Sequence, residues 1–376
     1  MKYIKLLPKT LMSIISIIVL ILVCFSPAIQ SVPAAQASQC DEIEVGNYLL
    51  STTAVNTNLY TTNGVDNSVS VIDSTTNTVT NTINVGSQPE SATAVGTNLY
   101  VINRNSDSIS VIDTITNTVI DTIPVGNSPR TATVVGTVLY VSNYFDNSVS
   151  VIDTITNTGI DTISVGAQPQ FATAVGTNLY VLNNNSNSVS AIDTTTNTVT
   201  DTISVGTSPQ FAILVGTNLY VLNLYSNNIS IIDTNTNTVT DTVNVGTYPF
   251  FSTAVGTNLY VLNNNNNSVS AIDTTTNTVT NTISVENNPI YSALVGTDLY
   301  VLNTGSNNVS VIDTNTNTVT DTVSVGDNPH SATLIGTNLY VANLAGNSLS
   351  VIDTTTNTLV SGLCNTYTLT YIASPG

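Results

Sequence analysis

"NSVSAIDTTTNTVT" occupies residues 187–200 and returns letter for letter at 267–280, with a looser copy, "NNISIIDTNTNTVT", midway at 227–240. The period is forty residues. Leu-Tyr pairs begin at 59, 99, 139, 179, 219, 259, 299 and 339, and an aspartate closes an Ile-Asp pair at 73, 113, 153, 193, 233, 273, 313 and 353. No copy gains or loses a residue across these eight units. A strict period of this length marks a repeat architecture, in which each unit buries its apolar faces only by stacking on its neighbours.

Each unit holds four runs with strand character. In the copy that starts near 169 they are "FATAV" (171–175), "LYVLN" (179–183), "SVSAID" (188–193) and "TVTDTISV" (198–205). They are rich in Val, Ile, Thr and Tyr and are bounded by Gly, Asn, Asp and Pro. "VGTN" at 175–178 and "DTTTN" at 193–197 supply turns. Asp193 is suited to accept backbone N–H groups of its own turn, and Asn197 to a left-handed position in it. The asparagine at 63, 103, 143 and onward to 343 reads as turn chemistry as well. No run has a helical period. Four short antiparallel strands, repeated eight times at constant length, predict an all-β fold: a β-propeller of four-stranded blades built from eight 40-residue repeats. Seven blades with one unit displaced is the alternative. The unbroken apolar run in "LYVLN" fits a middle strand covered on both faces by adjacent blades.

"LYVLN" followed by "NSVSVID" or "NSVSAID", then "TNTV" and a "VG" two residues before a proline ("VGTSP", 205–209), resembles the YVTN β-propeller repeat of bacterial and archaeal surface proteins. The resemblance runs over about residues 41–363. Departures are small: Thr62 in "LYTTN" is the only copy with the family's threonine, and Leu49 stands where later units have proline. The resemblance implies the propeller fold. It leaves function open, because the family spans enzymes, electron-transfer modules and adhesive surface layers.

The ends of the chain carry separate signals. Lys2, Lys5 and Lys9 precede "LMSIISIIVLILVCF" (11–25), and "AAQA" (34–37) offers small residues before a cut. This pattern reads as a signal peptide over 1–37, with an apolar stretch short for a bilayer span. The propeller is expected over 38–364, and "NTYTLTYIASPG" (365–376) reads as a tail that opens a further β-repeat. The mature chain is thus expected to be secreted or held at the cell surface, with no membrane span. "DEIEVG" (41–46) resembles the last strand of a unit, and "TNTLVSGLC" (356–364) is a degraded version of the same strand. Both ends should meet at the outer edge of the final blade. Cys40 and Cys364 sit at those ends, and an exported protein can keep a disulfide between them; two free thiols is the alternative.

Charge narrows the function. Without the first 37 residues, Arg104 and Arg130 are the only basic side chains against 23 acidic ones, a net of −21. Nucleic acid and anionic lipid would find no Lys/Arg footprint on such a surface. His330 is the only histidine, too few for copper, haem or Cys/His zinc sites, so no cofactor or metal is expected. The repeated aspartates are spread round a wide circumference, whereas calcium takes six to eight oxygens close together.

The repeats do not vary evenly. In a four-stranded blade the connection into the first strand and the turn between strands two and three share one face. The other two turns share the opposite face, where "GTN" and "DT-x-TNT" barely change. On the first face the turn reads Arg104-Asn105, Tyr144-Phe145, Asn184-Asn185, Leu224-Tyr225 and Leu344-Ala345 in different units. The residue after the proline position reads Leu50, Glu90, Arg130, Gln170, Gln210, Phe250, Ile290 and His330. Tyr248, Phe251 and Tyr291 add to an aromatic content that suggests a contact surface for a protein or glycan. Packing between blades is an equal reading for Phe171, Phe211 and Phe251, which share one strand position. The expectation is a non-catalytic, exported binding or scaffold protein, a monomer or part of an envelope assembly, using the variable face. The alternative is a propeller hydrolase or lyase of the lactonase type, for which Glu90, Arg130 and His330 are the available groups.

Overall fold

The structure is a computed structural model and describes residues 42–363. The expected signal segment and tail, and both cysteines of the expected clasp, Cys40 and Cys364, lie outside these residues. Each unit becomes four antiparallel strands in chain order. In blade 4 they are Pro169–Val175, Asn178–Asn183, Ser188–Asp193 and Thr198–Ser204. Eight such sheets form an eight-bladed β-propeller, so the alternative of seven is not adopted. Apart from one 3₁₀ turn at Asn264–Asn266, the regular structure among the described residues is strand.

The first strand of each blade is innermost and meets the first strand of the next. Thr133 Oγ1 donates to the Ala172 carbonyl across such a junction (2.9 Å), and Thr53 Oγ1 to that of Ala92 (3.0 Å). Middle strands are buried on both faces, as "LYVLN" implies. The apolar side chains gather into eight clusters, one between each pair of blades. Tyr180, Leu182 and Val189 of blade 4, for example, pack on Ala212, Leu219 and Val221 of blade 5. Full burial of one Leu or Val is worth roughly 1.5–3 kcal/mol, so the interfaces between blades, not single sheets, carry the stability.

Two polar clips reinforce each interface, one per face. The Leu-Tyr tyrosine is buried and its hydroxyl donates to the last turn of the next blade: Tyr260 Oη reaches Asn317 Oδ1 at 2.6 Å and the Thr314 carbonyl at 3.0 Å. Burial pushes these phenols above their ordinary value of 10.0, with Tyr300 up to about 12. On the other face, a left-handed Asn or Asp in the turn between strands two and three accepts the N–H of the loop entering the next blade. Asn187 Oδ1 takes Ser208 N–H at 2.9 Å.

The ends close the ring as the sequence implies. Glu42–Glu44 pairs antiparallel with Ser348–Asp353, and Thr358–Leu359 pairs further along the same strand. The outer strand of blade 8 is therefore shared between the two ends of the described chain. Both clips recur there, with Tyr340 Oη donating to Asn77 Oδ1 (2.5 Å) and Tyr48 N–H to Asn347 Oδ1 (2.9 Å).

One expectation is corrected. The asparagines at 63, 103 and onward to 343 are fully buried strand-end residues, not turn residues. Asn183 Nδ2 donates to Ser188 Oγ (3.1 Å) and Ser190 Oγ (2.9 Å), tying strand two to strand three. The glycine before the inner strand lies flat against the asparagine of its own blade. A Cβ on Gly206 would sit 2.6 Å from Asn223 Cγ.

Candidate functional site

The two variable segments of each blade are joined by backbone hydrogen bonds. Tyr144 N–H donates to the Ser128 carbonyl (3.0 Å), and Tyr225 N–H to that of Thr207 (3.2 Å). On the opposite face Thr194 N–H meets the Thr177 carbonyl (2.9 Å), pairing the two nearly constant turns. The assignment of segments to faces therefore holds.

On the variable face the arginines converge. Arg130 Nη1 donates to Glu90 Oε1 at 2.9 Å, and Arg104 Nε approaches Glu90 Oε2 at 3.6 Å. The Arg130 guanidinium also lies 4.8 Å from the centroid of the Tyr144 ring, whose hydroxyl donates to Gln168 Oε1 (2.9 Å). Both arginines of the described residues thus meet at one carboxylate.

The aromatic candidates divide into two groups. Phe145 (59 % exposed) and Tyr225 (64 %) stand out in solvent on loop tips. Tyr144 and Tyr248 are half-buried beneath them, packed edge-to-face at 5.2 and 5.8 Å between centroids. Tyr248 takes φ 64°, a left-handed conformation uncommon for a bulky residue. Phe250, Phe251 and Tyr291 are half-buried too, and for Phe251 this is the reading of packing between blades.

Phe171, Phe211, Phe251 and Tyr291 occupy one position of four successive inner strands. Their rings touch in series, with centroids 4.8, 4.4 and 4.7 Å apart. Each also packs on a core cluster between blades. The other four blades carry Ser51, Ser91, Thr131 and Ser331 at this position. Half of the ring at this level is aromatic and half hydroxylic.

Between the charged cluster and the aromatic arc lies a cavity of about 160 Å³. Glu90, Arg130, Thr131, Gln170, Phe171, Gln210, Phe211, Phe250 and Phe251 line it. These residues come from the inner strands of five consecutive blades, which places the cavity at the mouth of the central channel. Ile290 and His330 continue the same ring of positions on blades 7 and 8 but do not line the cavity, and burial pushes the His330 imidazole below 6.5. His330 makes no hydrogen bond or ion pair with Glu90 or Arg130.

The repeated aspartates serve their turns. Asp193 Oδ1 accepts Thr195 N–H (2.8 Å) and Oγ1 (2.6 Å), and these bonds hold its carboxyl below the ordinary value. Blades 2 and 3 break this pattern, a feature the sequence reading passed over. Ile115 and Ile155 replace the turn residue whose side chain donates to the aspartate, and they are 75 % and 76 % exposed. Ile120 and Ile160 replace the bulged threonine that caps a carbonyl elsewhere, as Thr200 Oγ1 caps Ala191 (3.2 Å). The signal was four Thr-to-Ile changes confined to two adjacent units. A separate hollow of about 480 Å³ at the rim between these blades includes Gly159, where the other units have Val or Leu.

No family model and no curated protein matches the chain. Solved structures do resemble it. The computationally designed Ika8 protein aligns at 8 % identity with TM-score 0.71, covering 82 % of this chain and 98 % of that one. Dihydro-heme d1 dehydrogenase NirN in complex with DHE aligns at 11 % identity with TM-score 0.70, covering 89 % and 80 %. BamB from Moraxella catarrhalis aligns at 14 % identity with TM-score 0.64, covering 82 % and 99 %. At these identities the likeness concerns the fold alone.

Proposed function

We propose that this chain is an exported, non-catalytic propeller of the YVTN surface type, which binds a protein or glycan partner through its variable face. The observation that carries the reading is the one-sided placement of variation. Phe145 and Tyr225 on loop tips, and Tyr144 and Phe250 below them, belong to positions that change from blade to blade. The clips beside those positions do not change. Aromatic side chains held on a rigid ring supply contact area at low entropic cost.

The test uses surface or envelope preparations of the source cell as the binding partner. Tyr144→Ala, Tyr225→Ala and Phe250→Ala should each reduce binding several-fold while the melting transition stays cooperative. Asp193→Ala on the opposite face should leave binding unchanged. Equal loss from both sets, or none from the first, removes the assignment.

A further inference from the structure

The channel-mouth cavity has a chemistry of its own. Its wall is mostly carbon, from Phe171, Phe211, Phe250 and Phe251, and its volume of about 160 Å³ is that of a site for one ring-sized group. An apolar cavity of about 150 Å³ holds benzene. Phe171, Phe211 and Phe251 do not form an open cage. With centroids 4.4–4.8 Å apart and planes inclined by 38–46°, they pack on one another as a tilted arc. Such a wall suits an apolar ring-sized group.

The charged end sets the sign of the partner. Glu90 is the only acidic residue lining the cavity, and it is already engaged by two arginines, so the cluster carries a net single positive charge. Arg130 uses Nη1 for Glu90 and is oriented by the Tyr144 ring; its Nη2 meets no protein acceptor among the described residues. On the variable face Asp107 and Asp146 do not line the cavity and accept the Ser128 and Asn127 N–H groups. The acidic turns of the opposite face lie a strand length away, roughly 20 Å for six residues. A Debye length of about 8 Å at physiological salt screens them, while a group in contact with Arg130 is not screened.

We infer that the channel mouth is a binding site for a carboxylate with a ring-sized apolar body, the body against Phe171, Phe211, Phe250 and Phe251 and the carboxylate on Arg130. Such a group is found in a free arylalkanoic acid and at an aromatic polypeptide C-terminus. This inference rests on reading the variable face as a binding surface, and it narrows what that surface recognises.

The test is calorimetric titration of the full chain with 3-phenylpropionate, N-acetyl-phenylalanine and N-acetyl-phenylalanine amide, with phenyltrimethylammonium as the cationic control. At least one acid should bind, and the neutral amide and the cation at least ten-fold more weakly. Preference for 3-phenylpropionate identifies a site for free acids, and preference for N-acetyl-phenylalanine one for chain termini. Arg130→Gln should weaken acid binding at least ten-fold, whereas Glu90→Gln, which removes a competing carboxylate, should strengthen it. Amide or cation binding equal to that of the acids overturns the inference, as does silence of both acids toward a normally melting protein. Loss of binding in both variants also overturns it, since the cluster would then only hold the mouth together. Tyr225 does not line the cavity, so loss of surface binding in Tyr225→Ala, together with silence of the acids, would leave the broader reading intact and reject only this one.

Discussion

The two faces of the ring are built from the same repeat under different constraints. On the turn face, every blade offers a tyrosine hydroxyl to the next blade's turn, and every turn is folded round its aspartate. On the variable face, the clip is equally regular, but the side chains beside it reach solvent or the channel. Constancy among the repeats follows contact with the next blade. Where a side chain has no obligatory neighbour, the copies diverge into arginine, glutamine, phenylalanine or isoleucine. The inner strands follow this division only in part: Ala172 and Ala212 pack between blades and Gln170 and Gln210 line the cavity, whereas the position of Phe171 touches the next blade and still varies between aromatic and hydroxylic residues.

The largest effect expected from this contrast is on the alkaline side of a pH series. The eight interface phenols, from Tyr60 to Tyr340, are raised above 10.0, chiefly by burial. An unfolded chain ionises them near 10 and the folded one resists. Their contribution is therefore complete below that value and lost as pH rises toward and through the folded values. On the acid side, Asp73, Asp113, Asp193, Asp273, Asp313 and Asp353 are held below 3.8 by hydrogen bonds from their own turns. That contribution is present above 3.8 and lost as pH falls through the lower folded values. Calorimetry should show Tm falling steeply above about pH 10 and gently below about pH 4. A flat alkaline limb would break the view that the turn face is held by its tyrosines.

Next in size is Gly206→Ala, which tests whether the variable face has fixed points of its own. The added Cβ meets the Asn223 amide at 2.6 Å, and overpacking of this kind costs about 1–3 kcal/mol. Blade 7 already carries Glu286 at the equivalent position, so Glu286→Gly should raise stability. Urea titration of both variants checks the opposed signs.

Tyr260→Phe probes one clip by itself. It removes the bonds to Asn317 and Thr314 and keeps the ring, for a loss of about 1 kcal/mol. Melting that matches the parent would mean that the clip fixes geometry without adding stability.

The smallest effect is expected where the turn face departs from its own rule. Ile115→Thr with Ile155→Thr restores the side-chain donor that Thr195 and Thr275 supply to their aspartates. Tm should rise slightly, and retention on a hydrophobic matrix should fall. Unchanged retention would show that these isoleucines add nothing to the apolar surface the turn face presents.

The repeat period, the strand boundaries to within two residues, the eight blades and the closure of the ring were legible in the sequence. Each follows from local pattern: alternating β-branched runs, turn residues at fixed offsets, and a partial unit at either end. The division of the repeats into two faces was legible too, since strand connectivity decides which turns lie together. The role of the buried asparagines was not, because Asn183 marks a turn and a strand-end amide bridge with the same letter. The separation of Phe145 and Tyr225, open to solvent, from Phe211 and Phe251, packed at the channel, was half legible, since a shared strand position made packing between blades an equal reading. Sequence distance between equivalent positions is forty residues, but their spatial relation depends on how the ring brings inner strands together. Only the packing of adjacent blades brings Glu90 to Arg130, sets the phenylalanine rings in a tilted arc, and leaves between them a cavity with one charged corner.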